Sequence, residues 1–366
     1  MNRKILINKL SIGHNGNPDF IKIINKYHNY IHDIYFSTSG STIPSTRPNT
    51  RVNNANYSEI ISRDIKICKE RGYNIKFSLL LNSQCWRGEY RSKKLLDKIV
   101  NSIEMIGENN IDDFVVSDEF LGKKLKEKYP KKTISISVIN EINSVQECLE
   151  LMEIFNDFDT ICLGHRLTYN IEEIKRIKEL TGKKIKLLCN QGCYYNCPDY
   201  MLHSIALAHT HNMQPIMENG KQLYCNHINS LNNENSWKNL THQALNPIYI
   251  KNYCSIVDFF KLSTRIDDDI NRIEDIIESY LFCNRGFEKK LFMGGSRELS
   301  YKNAAIFSLV EYPENYFEIR TKCNNKCYQC NYCKELWSTA EKKFNEEPNI
   351  SLKKLFIREN EGTYPV

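Results

Sequence analysis

Short apolar runs alternate with longer amphipathic segments almost from the first residue of this 366-residue chain. The runs are ILINKLSIG (5–13), DIYFSTSG (33–40), NIKFSLLLN (74–82), DDFVVSD (112–118), TISISVIN (133–140), DTICLGH (159–165), KIKLLCN (184–190) and SIVDFFKLSTR (255–265). Each has the length and the β-branched or aromatic content of a strand. The segments between them carry apolar residues at helical spacing: after Pro18, the residues Phe20, Ile24, Tyr27 and Ile31 fall on one face. Helix stops stand where they are needed, at Gly72, Pro130 and Gly182, and Asn143 or Ser144 caps the helix that follows the fifth run.

Eight strand and helix units in alternation predict an α/β chain folded as a (β/α)8 TIM-like barrel. An open doubly wound sheet is the competing arrangement. The alternation ends near Gly286, so the expected organisation is a barrel over 1–285 and a Cys-rich C-terminal extension over 286–366. Two stretches lack an apolar period. The polar loop 41–56 holds Arg47 and Arg51 and follows a strand end, where it reads either as a lid over an anion or as a solvated surface loop; 212–247 reads as irregular and contains Cys225.

Composition narrows the class. At 41% hydrophobic and 26% charged residues the chain has ordinary globular composition, and no apolar run approaches the roughly 18 residues that span a bilayer. The start MNRKILINKL reaches Lys9, His14 and Asn15 before a sustained apolar region forms, so no secretory signal is expected and the expected compartment is the cytoplasm. Fourteen cysteines in a reducing compartment point to metal or cluster ligation rather than to disulfides. A net charge of +6 permits RNA or another anionic partner without requiring one.

The chemistry concentrates in two cysteine groups. In KLLCNQGCYYNC (186–197) a buried strand runs directly into Cys189, Cys193 and Cys197, with Pro198 opening a helix behind them and Cys225 following in the polar excursion. These thiols suit an iron–sulfur cluster at a strand exit, with Cys189, Cys254 or Cys85 as candidate fourth ligand, or with the fourth position left to substrate or sulfide. Buried structural cysteines are the competing reading, and Cys189, which continues the apolar strand, fits that reading best.

The second group, Cys323, Cys327, Cys330 and Cys333, falls at intervals of four, three and three. Ferredoxin-like runs use such short gaps because thiolates on a tight loop must converge on one cube. Structural zinc is the alternative, and unligated thiols are a third. The C-x3-C-x2-C spacing within it also occurs in radical S-adenosylmethionine enzymes, but there it follows the first barrel strand; here it follows the last barrel helix, with Gln329 where an aromatic residue is usual.

Strand-end charges supply a candidate substrate site: His165 and Arg166 after the sixth run, and Lys261 and Arg265 in the eighth, are placed to hold a carboxylate or phosphate. A structural ion pair is the other reading of Lys261. His203, His209 and His211 lack a shared face and read as caps or outer partners rather than as metal ligands. There is no Gly-rich phosphate loop, no G-x-S-x-G elbow and no H-E-x-x-H.

With these segments laid out, CLGHRLTYNIEEIKRIKELTGKKIKLLCNQGC resembles the U32 peptidase-like, or collagenase-like, family, in which a strand ending in Arg precedes a helix and then a strand running into a Gly- and Cys-bearing loop. VDFFKLSTR is similar to the family's later Lys-Ile-Glu-Gly-Arg stretch: Lys261 and Arg265 match it, whereas Ser263 and Thr264 replace its Glu and Gly. The resemblance covers 1–285 in architecture and 158–285 in motif. It implies a cluster-bearing barrel similar to the ubiquinone-hydroxylation proteins UbiU and UbiV and to RNA-hydroxylation proteins, which carry a 4Fe-4S cluster and act without molecular oxygen, prephenate being linked to the RNA reaction. The function expected on that basis is oxygen-independent hydroxylation, or a related redox modification, of an RNA base, a small aromatic or a peptide, with two clusters, a prephenate-like oxygen donor and an electron-transfer or other partner protein. A zinc-stapled RNA-binding protein and a peptidase are the alternatives. The close Cys193–Cys197 spacing and the extra C-terminal quartet depart from the family pattern.

Overall fold

Eight short strands, all parallel, close on themselves in chain order: β1 (Leu10–Gly13), β2 (Ile31–Phe36), β3 (Lys76–Leu81), β4 (Asp113–Val116), β5 (Thr133–Ile136), β6 (Thr160–Cys162), β7 (Lys184–Leu188) and β8 (Phe259–Leu262). The ring is sealed where β8 pairs with β1, Leu10 opposite Phe260 and Ile12 opposite Leu262. The computed structural model describes residues 6–38, 57–86, 88–208, 223–229, 234–264, 269–283 and 301–346. Arg47, Arg51, His209, His211, Arg265 and the expected boundary at 285/286 lie outside the described residues.

Parallel neighbours require a crossover, which the amphipathic segments between the strands provide, and a last helix follows β8. They are α1 (Phe20–Tyr27), α2 (Tyr57–Glu70), α3 (Lys93–Ile106), α4 (Glu119–Lys128), α5 (Val145–Ile154), α6 (Ile171–Thr181), α7 (Tyr200–Ala208), α8 (Tyr224–Asn229) and α9 (Ile270–Phe282). Ser92, Asp118, Ser144, Asn170 and Asp269 each cap a helix by accepting a backbone N–H. Gly182 closes α6 with φ +64°, a left-handed conformation that suits glycine.

Period-two alternation splits each strand into two faces. Leu10, Ile12, Ile34, Phe36, Leu79, Leu81, Phe114, Val116, Ile134, Ile136, Ile161, Ile185, Leu187, Phe260 and Leu262 point outward and join the helices in one large core. The interior is different. Asp33 lies at the centre of a polar layer: it takes 2.9 Å hydrogen bonds from Lys186 Nζ and Ser11 Oγ and one of 3.2 Å from Ser78 Oγ. Asp113, also buried, accepts from Thr133 Oγ1 at 2.8 Å and Ser135 Oγ at 3.1 Å. Burial works against the Asp33 carboxylate, yet Lys186 outweighs it and holds the carboxyl below its usual range; at Asp113 burial prevails and the carboxyl is held above it. Towards the C-terminal face this layer gives way to small apolar groups, Tyr35 with Leu80 and Val115, and Val138 with Cys162 and Leu188. Lys261 is buried here, its ammonium 4.4 Å above the Tyr35 ring.

The strands stop earlier than their apolar runs. Past Ile136 the chain turns into a 3-10 segment, Val138–Asn140, capped by Ser137, and past Cys162 into another, His165–Leu167. The stretch 212–247, expected to be irregular, contains α8 and the 3-10 segment Ser236–Thr241.

Beyond α9 come α10 (Tyr301–Ser308), α11 (Tyr316–Thr321) and α12 (Tyr332–Glu346). Ala305, Phe307, Tyr316, Trp337 and Phe344 form a second core that also takes in Leu240 and Ala244 from the excursion between β7 and β8. The extension therefore shares its apolar centre with the loop that carries the first cysteine group. Arg320 ties the two together: it is buried, donates from Nη2 to the His242 carbonyl at 3.1 Å and stacks its guanidinium 4.6 Å over Tyr169. Among the described residues no helix is long and apolar enough to cross a membrane.

Candidate active site

At the exit of β7 the chain is pinned before it reaches the thiols. Cys189 N–H donates to the Lys261 carbonyl at 2.9 Å, Leu245 N–H donates to the Cys189 carbonyl at 2.7 Å, and the Asn190 side chain bonds Ser263 N–H and C=O at 2.7 and 3.1 Å. Two backbone contacts then hold the loop against the excursion: Gln243 N–H to the Cys193 carbonyl at 3.0 Å, and an antiparallel bridge between Tyr194 and His242.

Cys193, Cys197 and Cys225 meet around this loop. Burial, then the neighbouring thiols Cys193 and Cys225, push the Cys197 thiol up to about 12; burial, then Cys193, push Cys225 up to about 11. Cys225 is brought in by α8, whose first amide, Tyr224 N–H, donates to the Asp199 carboxylate two residues past Cys197. Gln191 Nε2 lies 3.2 Å from Cys193 Sγ. Cys189 stands apart: it is fully buried, its Sγ faces the Leu187 carbonyl at 3.4 Å, and the thiols that act on it are Cys162 and Cys254.

Among the described residues no group of three or more His, Cys, Asp or Glu side chains is arranged to hold a single metal ion. Around one zinc, Zn–S bonds of about 2.3 Å bring sulfurs to within roughly 4 Å of each other. The donor set at this loop is all thiol, the soft ligand type that iron–sulfur clusters take.

Beside the thiols stands a polar constellation that the strand-end reading saw only in part. His165 Nδ1 lies 2.8 Å from Glu141 Oε2, Tyr200 Oη donates to Glu141 Oε1 at 2.7 Å, and the His165 and Tyr200 rings stack with centroids 4.5 Å apart. Nδ1–H donates to the Glu141 carboxylate, which only accepts, and Nε2 faces a second acceptor, the Tyr194 carbonyl, at 3.4 Å. Burial opposes ionisation of Glu141, but the bonds from His165, Tyr200 and Asn143 hold its carboxyl below the usual range. Arg166, about half exposed, leans on the same carboxylate at 3.9 Å. Burial and then Glu141 keep the Tyr200 phenol well above its normal range, and Cys193 adds to the effect.

Glu141 holds this position with φ +51°, a left-handed conformation unusual for a non-glycine residue. Asn143 supports it, with Nδ2 donating to the Glu141 carbonyl at 2.5 Å, and Asn143 itself fills the space that Gly164 leaves open. Glu141, Tyr200, Gln191 and Asn143 were not among the residues singled out as site candidates from the sequence. The available signal was position: Glu141 directly follows the fifth apolar run, and Tyr200 lies three residues past Cys197.

Lys261 lies deeper, inside the barrel, and its charge acts on Cys162. In the extension, burial comes first in pushing the Cys333 thiol up to about 11, opposed by Arg320 and reinforced by Cys327, Cys323 and Cys330, which places all four thiols in one neighbourhood.

No family model matches the chain. It is 26% identical over 290 residues to the uncharacterized protease MJ1657 of Methanocaldococcus jannaschii, a match that covers 78% of this chain and 82% of that protein. Among solved structures, the U32 peptidase Mk0906 aligns with a TM-score of 0.48 at 12% identity, over 70% of this chain and 92% of that one. A fructose-bisphosphate aldolase from Campylobacter jejuni aligns with a TM-score of 0.37 at 10% identity, over 98% of this chain and 90% of that one.

Proposed function

We propose that this chain, a U32 peptidase-like protein, is an iron–sulfur enzyme that carries out an oxygen-independent hydroxylation or related redox modification of an RNA base, a small aromatic or a peptide. The observation that carries the reading is the grouping of Cys193, Cys197 and Cys225 at the exit of β7, next to the Glu141–His165–Tyr200 constellation. C-terminal strand exits are where barrel enzymes place their chemistry.

Cys193, Cys197 and Cys225 would hold the cluster, leaving one position to substrate or to a further ligand. When bound, such a cluster supplies a Lewis-acidic, redox-active iron to an oxygen-bearing donor. The chain's own residues do the rest. Gln191 donates to Cys193 Sγ and so stabilises that thiolate once formed. Glu141 keeps the Nδ1 proton of His165 in place and accepts the Tyr200 proton, so two ring faces border the thiols in fixed orientation. Arg166, half exposed and only loosely held by Glu141 at 3.9 Å, is placed to pair with a carboxylate or phosphate of an incoming molecule. Lys261 contributes a buried positive charge to the floor of the barrel mouth.

A peptidase reading follows from the name of the archaeal relative. It needs a nucleophile on the base, yet among the described residues the groups against the His165 ring are a carboxylate, a backbone carbonyl and a stacked phenol. Anaerobic purification with iron and sulfide analysis tests the proposal. Brown protein whose iron falls in Cys193→Ser and Cys225→Ser supports it; colourless protein holding only zinc, or peptide hydrolysis that survives both substitutions, sinks it.

A further inference from the structure

The two cysteine groups share a wall. Asn196, next to Cys197, reaches the Asn325 carbonyl, midway between Cys323 and Cys327, at 3.5 Å. The backbone geometry of those short links bounds the Cα atoms of Cys197 and Cys323 to within roughly 20 Å. Lys238 forms a second link. Its Nζ lies 3.0 Å from the Tyr224 hydroxyl, next to Cys225, and its charge also acts on Cys327. Arg320 forms a third: it holds the His242 carbonyl, His242 bridges to Tyr194 beside Cys193, and the other neighbours of the guanidinium include Cys333 and Cys323. The buried guanidinium of Arg320 and the part-buried ammonium of Lys238 suit centres that carry extra negative charge when reduced.

We propose that Cys323, Cys327, Cys330 and Cys333 hold a second iron–sulfur cluster, which takes electrons one at a time from a reduced, acidic carrier protein and passes them to the centre at Cys193, Cys197 and Cys225. This rests on the reading of that first centre as a cluster. Each transfer oxidises the carrier by one electron, reduces the outer cluster and then the inner one, and neither makes nor breaks a covalent bond. The outer position of the quartet fits the entry point. Cys330 is the exposed thiol of the fourteen, and Tyr328 beside it is 82% exposed. From Lys322 to Lys334 the sequence holds three lysines and no Asp or Glu; Lys322 pairs with Glu318 and Glu335 follows Lys334, so the surplus that complements an acidic partner centres on the exposed Lys326.

The test uses the full chain, purified anaerobically, with reduced flavodoxin as the acidic carrier and dithionite as a small reductant that needs no docking. Reduction is followed by low-temperature electron paramagnetic resonance, and iron and sulfide are counted. The wild type is expected to hold about eight irons and to be reduced by both agents. Cys327→Ser with Cys330→Ser is expected to keep about four irons, still reducible by dithionite, while reduction by flavodoxin slows at least about tenfold. Should that variant fail to fold, Lys326→Glu with Lys334→Glu leaves all thiols in place and is expected to slow flavodoxin by roughly tenfold at low salt. Unchanged flavodoxin kinetics in either variant overturn the relay, as does zinc in the quartet beside iron in the barrel. Iron that is lost in the quartet variant but unaffected by Cys193→Ser overturns the relay and marks the inner centre itself as the point of failure.

Discussion

His165 Nδ1 and Glu141 Oε2 lie 2.8 Å apart across 24 residues of sequence, and Glu141 makes this bond from a left-handed backbone, φ +51°. The pair is a positioning device: it holds a proton on Nδ1 and fixes the ring plane of His165, and through Tyr200 it orients a second ring beside Cys193. Glu141→Gln keeps the shape but offers an amide that accepts more weakly and also donates. Turnover is expected to fall roughly 10- to 100-fold while iron content and visible spectrum stay close to wild type. A parallel loss of iron would show instead that Glu141 acts through the fold of the thiol loop.

Gly164 permits that arrangement by having no side chain. A Cβ built there would lie 2.3 Å from Asn143 Oδ1. Gly164→Ala is therefore expected to cost about 1–3 kcal/mol of stability and to displace Asn143 from Glu141. Adding Asn143→Ala should return most of the stability without returning the activity. Urea unfolding beside steady-state assays separates the two effects.

Inside the barrel, Lys186 and Asp33 are both nearly inaccessible and pair at 2.9 Å. Lys186→Met strands a buried carboxylate, with an expected loss of about 3–5 kcal/mol. Asp33→Asn in addition removes the charge but retains acceptors for Ser11 and Ser78, and should recover much of that loss. Additive losses in a double-mutant cycle would show that the pair is not coupled.

His32 predicts an acid-sensitive fold. It stacks on Phe259 with ring centroids 3.7 Å apart, and burial, aided by Lys186, Lys76 and Lys184, lowers its pKa from 6.5 to about 4. The folded ring is neutral where the unfolded one takes a proton, so this contribution is complete above 6.5 and is lost as pH falls towards 4. Allowing for partial exposure, it amounts to about 1–3 kcal/mol. Denaturant midpoints measured across that interval should fall less steeply in His32→Phe than in wild type.

The barrel was legible because its evidence is local: each strand declares itself within a few residues, and the outward faces of all eight repeat the same apolar alternation. The cysteine spacings are local in the same way. What the chain hides is pairing at a distance. Lys186 acquires its meaning from Asp33, 153 residues away, and each on its own resembles a charged residue at the solvent side of an alternating strand. Glu141 and Tyr200 are 59 residues apart, and no period joins them. Strand ends were overrun because Val138 and Ile139 continue an apolar pattern even though Ser137 has already capped a 3-10 turn. The apolar character of 138–140 reflects burial in the barrel mouth rather than extension of the sheet.

The closure of β8 onto β1 also sets a timetable for biogenesis. Thr264 bonds Gly13 across 251 residues, so the first strand emerges from the ribosome long before its second neighbour exists. Arg320 and Asn325 come later still, and their contacts complete the wall between the cysteine loops. Contacts so distant in sequence are slow to form. If Cys193 holds a metal, its fixed partners exist only once the barrel has closed, so the order of folding would set the order of loading.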